Sequence, residues 1–174
     1  MKKSLSHLPK HKKDEIRALT EIITGMIDAE FIILFGSYAR GDWVEDVYLG
    51  DDGTTYEYKS DYDLLVVVKD LPKYEYKGYR NRIKRKARRS ADCETRISII
   101  MHSVDEVKDA IKNNRYFFVD IKKEGILLHS SKRFRLPPIK ELNVKQRKGK
   151  AEKNFENWFE SAKNFLMTLF ITLN

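Results

Sequence analysis

The chain has 174 residues, of which 41% are apolar, and a formal net charge of +8. Global disorder is therefore excluded, and one globular domain with a short additional segment is expected. The excess of basic over acidic residues favours a polyanionic partner, such as a nucleotide, a nucleic acid or an anionic membrane surface. Cys93 is the single cysteine, so an intrachain disulfide is excluded.

The first half of the chain predicts a helix, two buried strands and a hairpin between the strands. Apolar side chains at helical spacing predict a helix over residues 14–28. The run FIILF at 31–35 predicts a strand that ends at Gly36, with a short helix after it. Residues 42–60 hold two β-prone runs around a Gly-Asp-Asp-Gly turn, which predicts a hairpin, and DYDLLVVV at 61–68 predicts the second strand.

The second half predicts three more helices and two short strands. A capping-box pattern, Ser103 with Glu106, marks the start of one of the helices, and Gly125 closes another. In chain order, the predicted elements are a basic helix at 79–89, a strand at 97–101, a helix after 103, a helix at 116–124 and a strand at 126–129.

Pro137-Pro138 marks a boundary, after which one long helix is predicted over 145–174. We therefore expect a first domain at 1–138 and, at 139–174, a linker with an amphipathic helix. The helix has an apolar stripe that needs a surface to cover it: Phe155, Trp158, Phe159, Ala162, Phe165, Leu166, Leu169 and Phe170. No run approaches the ~20 apolar residues of a membrane helix, so a cytoplasmic protein without a membrane span is expected.

Gly36-Ser37 follows the end of the first predicted strand and opens a short helix. Glycine allows the backbone to approach a phosphate closely. The start of a helix offers unpaired N–H groups and a positive dipole end, and the Ser37 hydroxyl adds a donor. The turn is therefore a candidate site for nucleotide phosphates.

Asp61 and Asp63 open the second strand. Because side chains alternate along a strand, the two carboxylates point to the same side. Two carboxylates held together repel each other, and a divalent cation with a preference for oxygen ligands removes that repulsion. Asp61 and Asp63 are thus predicted ligands of Mg²⁺.

Gly-Ser after one strand and Asp-x-Asp at the next resemble the polymerase-β-like nucleotidyltransferase superfamily. The sequences GSYARG, SDYDLLVVV and YFFVDIKKEGILLHSS are similar to its small prokaryotic members, including minimal nucleotidyltransferases that occur with HEPN partners in toxin–antitoxin systems. The resemblance covers about residues 30–131. It implies an α/β (α+β) nucleotidyltransferase fold, a small mixed sheet flanked by helices, with an additional C-terminal helix similar to the first helix of a HEPN domain. The Arg-x4–6-His motif of HEPN ribonucleases does not occur after residue 145, so no RNase activity is implied.

The resemblance also implies roles for individual residues. Gly36 and Ser37 would hold the phosphates of a nucleoside triphosphate, ATP being expected, and Arg40 would assist them. Asp61 and Asp63 would bind Mg²⁺ and carry catalysis. The superfamily usually has a third carboxylate on a neighbouring strand, where this sequence has Ser98; Glu94 is the nearest acid and could reach the site only from the strand edge.

The sequence leaves three functions open. The first is transfer of a nucleoside monophosphate to a hydroxyl, on a HEPN-type protein, a small molecule or an RNA end. The second is a binding or antitoxin module with impaired catalysis, which contacts a HEPN-type protein or a second copy through the C-terminal helix. The third is nucleic-acid binding through the seven cations of residues 79–89. Three hairpin tyrosines, Tyr48, Tyr56 and Tyr58, are candidates to stack on a base or are ordinary strand residues.

Overall fold

The computed structural model describes the backbone of residues 1–90 and 93–172, and the side chains outside positions 91–92 and 169–174. It confirms the mixed α+β class. The elements, in chain order, are α1 (Lys10–Thr24), β1 (Ala29–Phe35), α2 (Ser37–Arg40), β2 (Glu45–Leu49), β3 (Thr55–Lys59), β4 (Tyr62–Val68), a 3₁₀ turn (Lys73–Glu75), α3 (Tyr76–Ser90), β5 (Ile97–Ser103), α4 (Val104–Lys112), α5 (Tyr116–Glu124), β6 (Ile126–Ser130) and α6 (Val144–Thr172).

Four strands form one mixed sheet in the order β5-β4-β1-β6. The central strand β1 pairs antiparallel with both β4 and β6, whereas β4 and β5 are parallel. The parallel pair requires a crossover, which α3 provides. The two central strands are apolar along nearly their whole length because both faces of the sheet are covered.

Two apolar layers lie on opposite faces of this sheet. One face of β4 contributes Leu64, Val66 and Val68 to a layer shared with α1 and α3. The other face contributes Leu65 and Val67 to a layer shared with α4 and α5. Since alternate residues of a strand point to opposite faces, Asp63 lies on the α4/α5 face.

The predicted helix at 14–28 begins earlier and ends earlier than expected. It starts at Lys10, directly after Pro9, and ends at Thr24, with Gly25 as the cap. Proline is favourable at a helix start and glycine at a helix end, so these two residues define the limits better than the apolar spacing does. Met26 and Ile27, which the spacing placed on the helix, follow its end.

The predicted hairpin is present as a separate two-stranded sheet of β2 and β3. Tyr48 pairs with Tyr56 across the hairpin, and their rings stack with centroids 5.4 Å apart. Every residue of both strands is exposed.

The chain divides into two compact units, Met1–Ile139 and Lys140–Asn174. In the second unit, α6 begins one residue earlier than predicted, and the Asn143 and Gln146 side chains each accept a hydrogen bond from the other's backbone N–H. Its apolar stripe is exposed at Phe155, Trp158, Phe159, Phe165 and Leu166. Leu169, Phe170 and Asn174 lie outside the residues whose side chains are described. None of the described helices is both long enough and apolar enough to cross a membrane.

Candidate functional site

Gly36 lies between the end of β1 and the start of α2, with φ 75° and ψ −155°. This region of backbone conformation is essentially restricted to glycine. A Cβ at this position would also collide with the Asp63 carboxylate on the neighbouring strand. The glycine is therefore required twice, by its own backbone and by the carboxylate beside it.

The two predicted carboxylates occupy the start of β4. Asp61 directly precedes the strand, and Asp63 pairs with Phe35 of β1 on one side and with Ser98 of β5 on the other. The Ser98 side chain lies beside the Asp63 carboxylate, close enough to lower its pKa. Both acids are partly exposed, so they are accessible to a ligand while the strand register fixes their backbone.

Several opposing effects act on the pKa of Asp63, and the net result is a raised value. Burial is the largest cause, because it disfavours the charged form. The Ser98 side chain lowers the pKa, the nearby Asp61 charge raises it, and the Arg40 charge lowers it. Burial and the Asp61 charge therefore outweigh the effects of Ser98 and Arg40, and the charged form of Asp63 is disfavoured in the metal-free protein.

Arg40 ends α2 and forms an ion pair with Asp42, with 3.0 Å between Nε and Oδ2. This hydrogen bond is the largest cause of its raised pKa. The Glu124 and Asp63 charges contribute less. Arg40 is thus close enough to Asp63 to act on it electrostatically, while its guanidinium is bonded to Asp42.

One open cleft of about 510 Å³ brings the five predicted site residues together. They arrive from two parts of the chain, with Gly36, Ser37 and Arg40 from the β1–α2 turn and α2, and Asp61 and Asp63 from the start of β4. The rest of the lining comes from the hairpin and its connections: Asp42, Val44, Tyr58, Lys59 and Ser60.

Sequence reasoning missed Lys59 and Ser60 as lining residues. Lys59 forms an ion pair with Glu57, and the Ser60 hydroxyl accepts a hydrogen bond from the Val44 amide. Their position in the chain could have indicated them, since they are the two residues before Asp61. Tyr58 was recognised as a candidate and is the one of the three hairpin tyrosines that lines the cleft.

A buried lysine attaches the hairpin to the core. The Lys12 ammonium forms an ion pair with Glu45 of β2 and donates a hydrogen bond to the Thr95 hydroxyl at 2.9 Å. It also lies 5.8 Å from the Tyr38 ring centroid and 5.9 Å from that of Tyr62. Burial alone would lower the pKa of Lys12, but the bond to Glu45 and the surrounding charges raise it.

Ser98, the residue at which the resemblance would place a third carboxylate, lies beside Asp63 in the parallel register of β4 and β5. Glu94 is exposed in the segment before β5, and its charge acts on Lys59. Within residues 1–90 and 93–172, no three His, Cys, Asp or Glu side chains form a group that could hold a metal ion. Asp61 and Asp63 both line the cleft, and Glu94 is not among the residues that line it.

No protein-family model and no curated protein sequence matches the chain. One solved structure with similarity is that of a protein from Sulfolobus solfataricus described as a putative nucleotidyltransferase. The two chains are 18% identical, with a TM-score of 0.41, over 75% of this chain and 96% of that one. A likeness of this degree does not establish the family.

Proposed function

We propose that the chain is a Mg²⁺-dependent nucleotidyltransferase that transfers AMP from ATP to a hydroxyl acceptor. The observation that carries the proposal is the contact between the Gly36 turn and the Asp63 carboxylate. A turn suited to phosphate and an acid suited to metal thereby share one cleft.

The residues present fit a divalent cation. Partial burial raises the pKa of Asp63, and the nearby charge of Asp61 raises it further. Carboxylate oxygens are the ligands that Mg²⁺ prefers, and its charge would relieve both effects. When bound, the cation would supply charge neutralisation for the triphosphate.

The protein's own groups would bind and orient the substrates. The amides at the start of α2 have no preceding helical turn to accept their hydrogens, so they and the Ser37 hydroxyl would donate to phosphate oxygens. Lys59, and Arg40 once released from Asp42, would add positive charge. The acceptor hydroxyl would give up its proton to solvent water as its oxygen forms a bond to the α-phosphorus, the bond from that phosphorus to the bridging oxygen would break, and pyrophosphate would leave. Catalysis would come from positioning and charge stabilisation.

The acceptor follows only from the resemblance to the HEPN-associated group, so we propose a hydroxyl side chain on a HEPN-type protein. A small molecule or an RNA end would satisfy the same chemistry. The exposed apolar residues of α6, Phe155 to Leu166, are where such a protein or a second copy of the chain would pack.

The test is pyrophosphate release from ATP and Mg²⁺ in the presence of candidate acceptors. Asp61→Asn/Asp63→Asn should abolish release. A matched control, Asp51→Asn/Asp70→Asn, removes two exposed acids that do not line the cleft and should leave release unchanged. Equal release by both variants would contradict the proposal.

A second candidate function is a nucleotidyltransferase-fold binding or antitoxin module without catalysis. Ser98 in place of the third acid favours it, because two carboxylates bind a divalent cation more weakly than three. If the module is correct, Asp61→Asn/Asp63→Asn should retain neutralisation of the protein partner. If the enzyme is correct, the same variant should lose it.

A further inference from the structure

The net positive charge of the chain resides in one helix. The full sequence has 34 lysines and arginines against 26 acids. Helix α3 contains eight of these cations and no acid, which leaves 26 residues of each sign in the rest of the chain. A charge asymmetry of this size, confined to one element, indicates a surface for a polyanion rather than a general adjustment of solubility.

The cations of α3 are available to a partner. Six of them are exposed and two, Arg80 and Lys84, are partly exposed. Throughout residues 1–90 and 93–172, none of the eight forms an ion pair with an acid. Many lysines and arginines elsewhere in the chain do form such pairs. The helix is therefore held by its apolar side, Tyr76, Ile83 and Ala87, and not by its charges.

A row of polar side chains runs along the exposed side of α3. Asn81, Lys84, Arg85 and Arg88 line an open groove of about 470 Å³. Their spacing of three or four residues places them on one helix face, about 5.4 Å apart for each turn. Arginine is well suited to such a row, because its planar group donates two parallel hydrogen bonds to phosphate oxygens.

Aromatic rings accompany the cations at the start of the helix. Tyr74, in the 3₁₀ turn that leads into α3, is 83% exposed. The Arg82 guanidinium lies over the Tyr79 ring, 4.2 Å from its centroid. A helix rich in cations, with an exposed aromatic ring in the turn that precedes it, holds the two kinds of group with which proteins bind single strands, where phosphates contact the cations and bases stack on the rings.

We propose that α3, with Tyr74, binds the backbone of a single-stranded nucleic acid. A membrane surface fits less well, because a membrane-binding helix exposes apolar side chains between its cations, whereas those of α3 are turned into the core. An acidic protein would be matched by charge alone and would not explain the exposed Tyr74 ring. Asp63 lies on the opposite face of the sheet from α3, so this surface is separate from the proposed catalytic cleft.

The experiment measures fluorescence anisotropy of a labelled, mixed-sequence 20-nucleotide RNA with the full chain, between 50 and 200 mM salt. Lys84→Gln/Arg85→Gln/Arg88→Gln should weaken binding at least tenfold. It should also reduce the slope of log K against log salt by about 2, since each lost contact to a single strand contributes about 0.7. Tyr74→Ala should weaken binding about fivefold or more, by loss of stacking.

A matched variant, Lys112→Gln/Arg115→Gln/Lys123→Gln, removes the same charge from exposed positions on the α4/α5 side and should change affinity less than twofold. Equal weakening by both triple variants would overturn the proposal, as would unchanged affinity in the α3 variant. Tighter binding to a duplex of the same sequence, to phosphatidylserine vesicles or to polyglutamate would also overturn it. Circular dichroism and thermal unfolding confirm that the variants fold.

Discussion

Asp63 on β4 lies beside Ser98 on β5 in the parallel register, close enough for the Ser98 side chain to lower the pKa of the Asp63 carboxylate. The serine thus stabilises one negative charge where a third acid would add another. Ser98→Asp is predicted to raise the affinity for Mg²⁺ about tenfold, because a third oxygen ligand of the right charge would join the site. Calorimetric titration with MgCl₂ measures this, and an affinity equal to or below that of the wild type would show that Asp63 and Ser98 do not face a metal site.

The raised pKa of Asp63 predicts a dependence of stability on pH. The folded state holds the Asp63 proton more tightly than the unfolded state does, so ionisation costs stability. This cost is absent below the unfolded-state pKa and complete above the folded-state pKa. Asp63→Asn should therefore raise the melting temperature of the metal-free protein at pH 7, by about 2 °C, and should have no such effect near pH 3.

Bound Mg²⁺ should reverse the order of the melting temperatures of the wild type and Asp63→Asn at pH 7. Added Mg²⁺ is predicted to raise the melting temperature of the wild type at pH 7 and to leave Asp63→Asn unchanged, because binding to the folded state alone stabilises it. Differential scanning fluorimetry at pH 7 and near pH 3, with and without Mg²⁺, measures these melting temperatures. A wild type that melts at the same temperature with and without Mg²⁺ would contradict the assignment of Asp63 as a ligand.

Gly36 and Gly53 provide a matched pair for testing the turn. Their φ angles are 75° and 76°, but a Cβ would meet the Asp63 carboxylate only at Gly36, whereas at Gly53 nothing lies within 4 Å. Gly53→Ala should cost about 1 kcal/mol for its positive φ, and Gly36→Ala should cost more, because the φ and ψ of Gly36 lie in the region restricted to glycine. Gly36→Ala should in addition lower the affinity for MgATP at least tenfold, and Gly53→Ala should retain wild-type affinity. Similar affinities in the two variants would show that the turn does not contact the nucleotide.

Lys12→Met tests whether the buried lysine positions the hairpin side of the cleft. Removal of the ammonium leaves Glu45 unpaired, but Glu45 is 36% exposed, so solvent screening limits the cost to about 1 kcal/mol. The larger predicted effect is on the hairpin: MgATP affinity should fall about fivefold, because Tyr58 and Lys59 lose their attachment.

Tryptophan fluorescence detects a change at the hairpin independently of the MgATP affinity. Trp43 stacks on Tyr38, with centroids 5.6 Å apart, next to the lysine. In a Trp158→Phe background, Lys12→Met should shift the emission of Trp43 to longer wavelength. Unchanged emission together with unchanged affinity would assign Lys12 to the core alone.

The sequence predicted the elements well because their signals are local. Strand β4 is a continuous apolar run, α4 begins at the predicted capping box, and the Gly-Asp-Asp-Gly turn joins β2 to β3. The five candidate site residues share one cleft because two short motifs lie at the starts or ends of adjacent strands.

The features that the sequence did not predict depend on contacts between residues that are distant in the chain. Nothing local indicates that Lys12 is buried, since lysine is rarely buried unless paired, and its partners lie 33 and 83 positions further along the chain. The pairing of Arg40 with Asp42 and the separation of Glu94 from the two acids are also tertiary features. The limits of α1 depended on Pro9 and Gly25, which the apolar spacing does not weigh.

The proposed function requires one site that binds ATP together with Mg²⁺ and that is formed by Gly36, Ser37, Asp61 and Asp63. The most direct measurement is the calorimetric titration of ATP into wild type and into Asp61→Asn/Asp63→Asn, each with Mg²⁺ and with EDTA. The wild type should bind ATP in Mg²⁺, and the other three titrations should show no binding. Binding by the double variant in Mg²⁺ as tight as that of the wild type, or no binding by the wild type in either buffer, would contradict it.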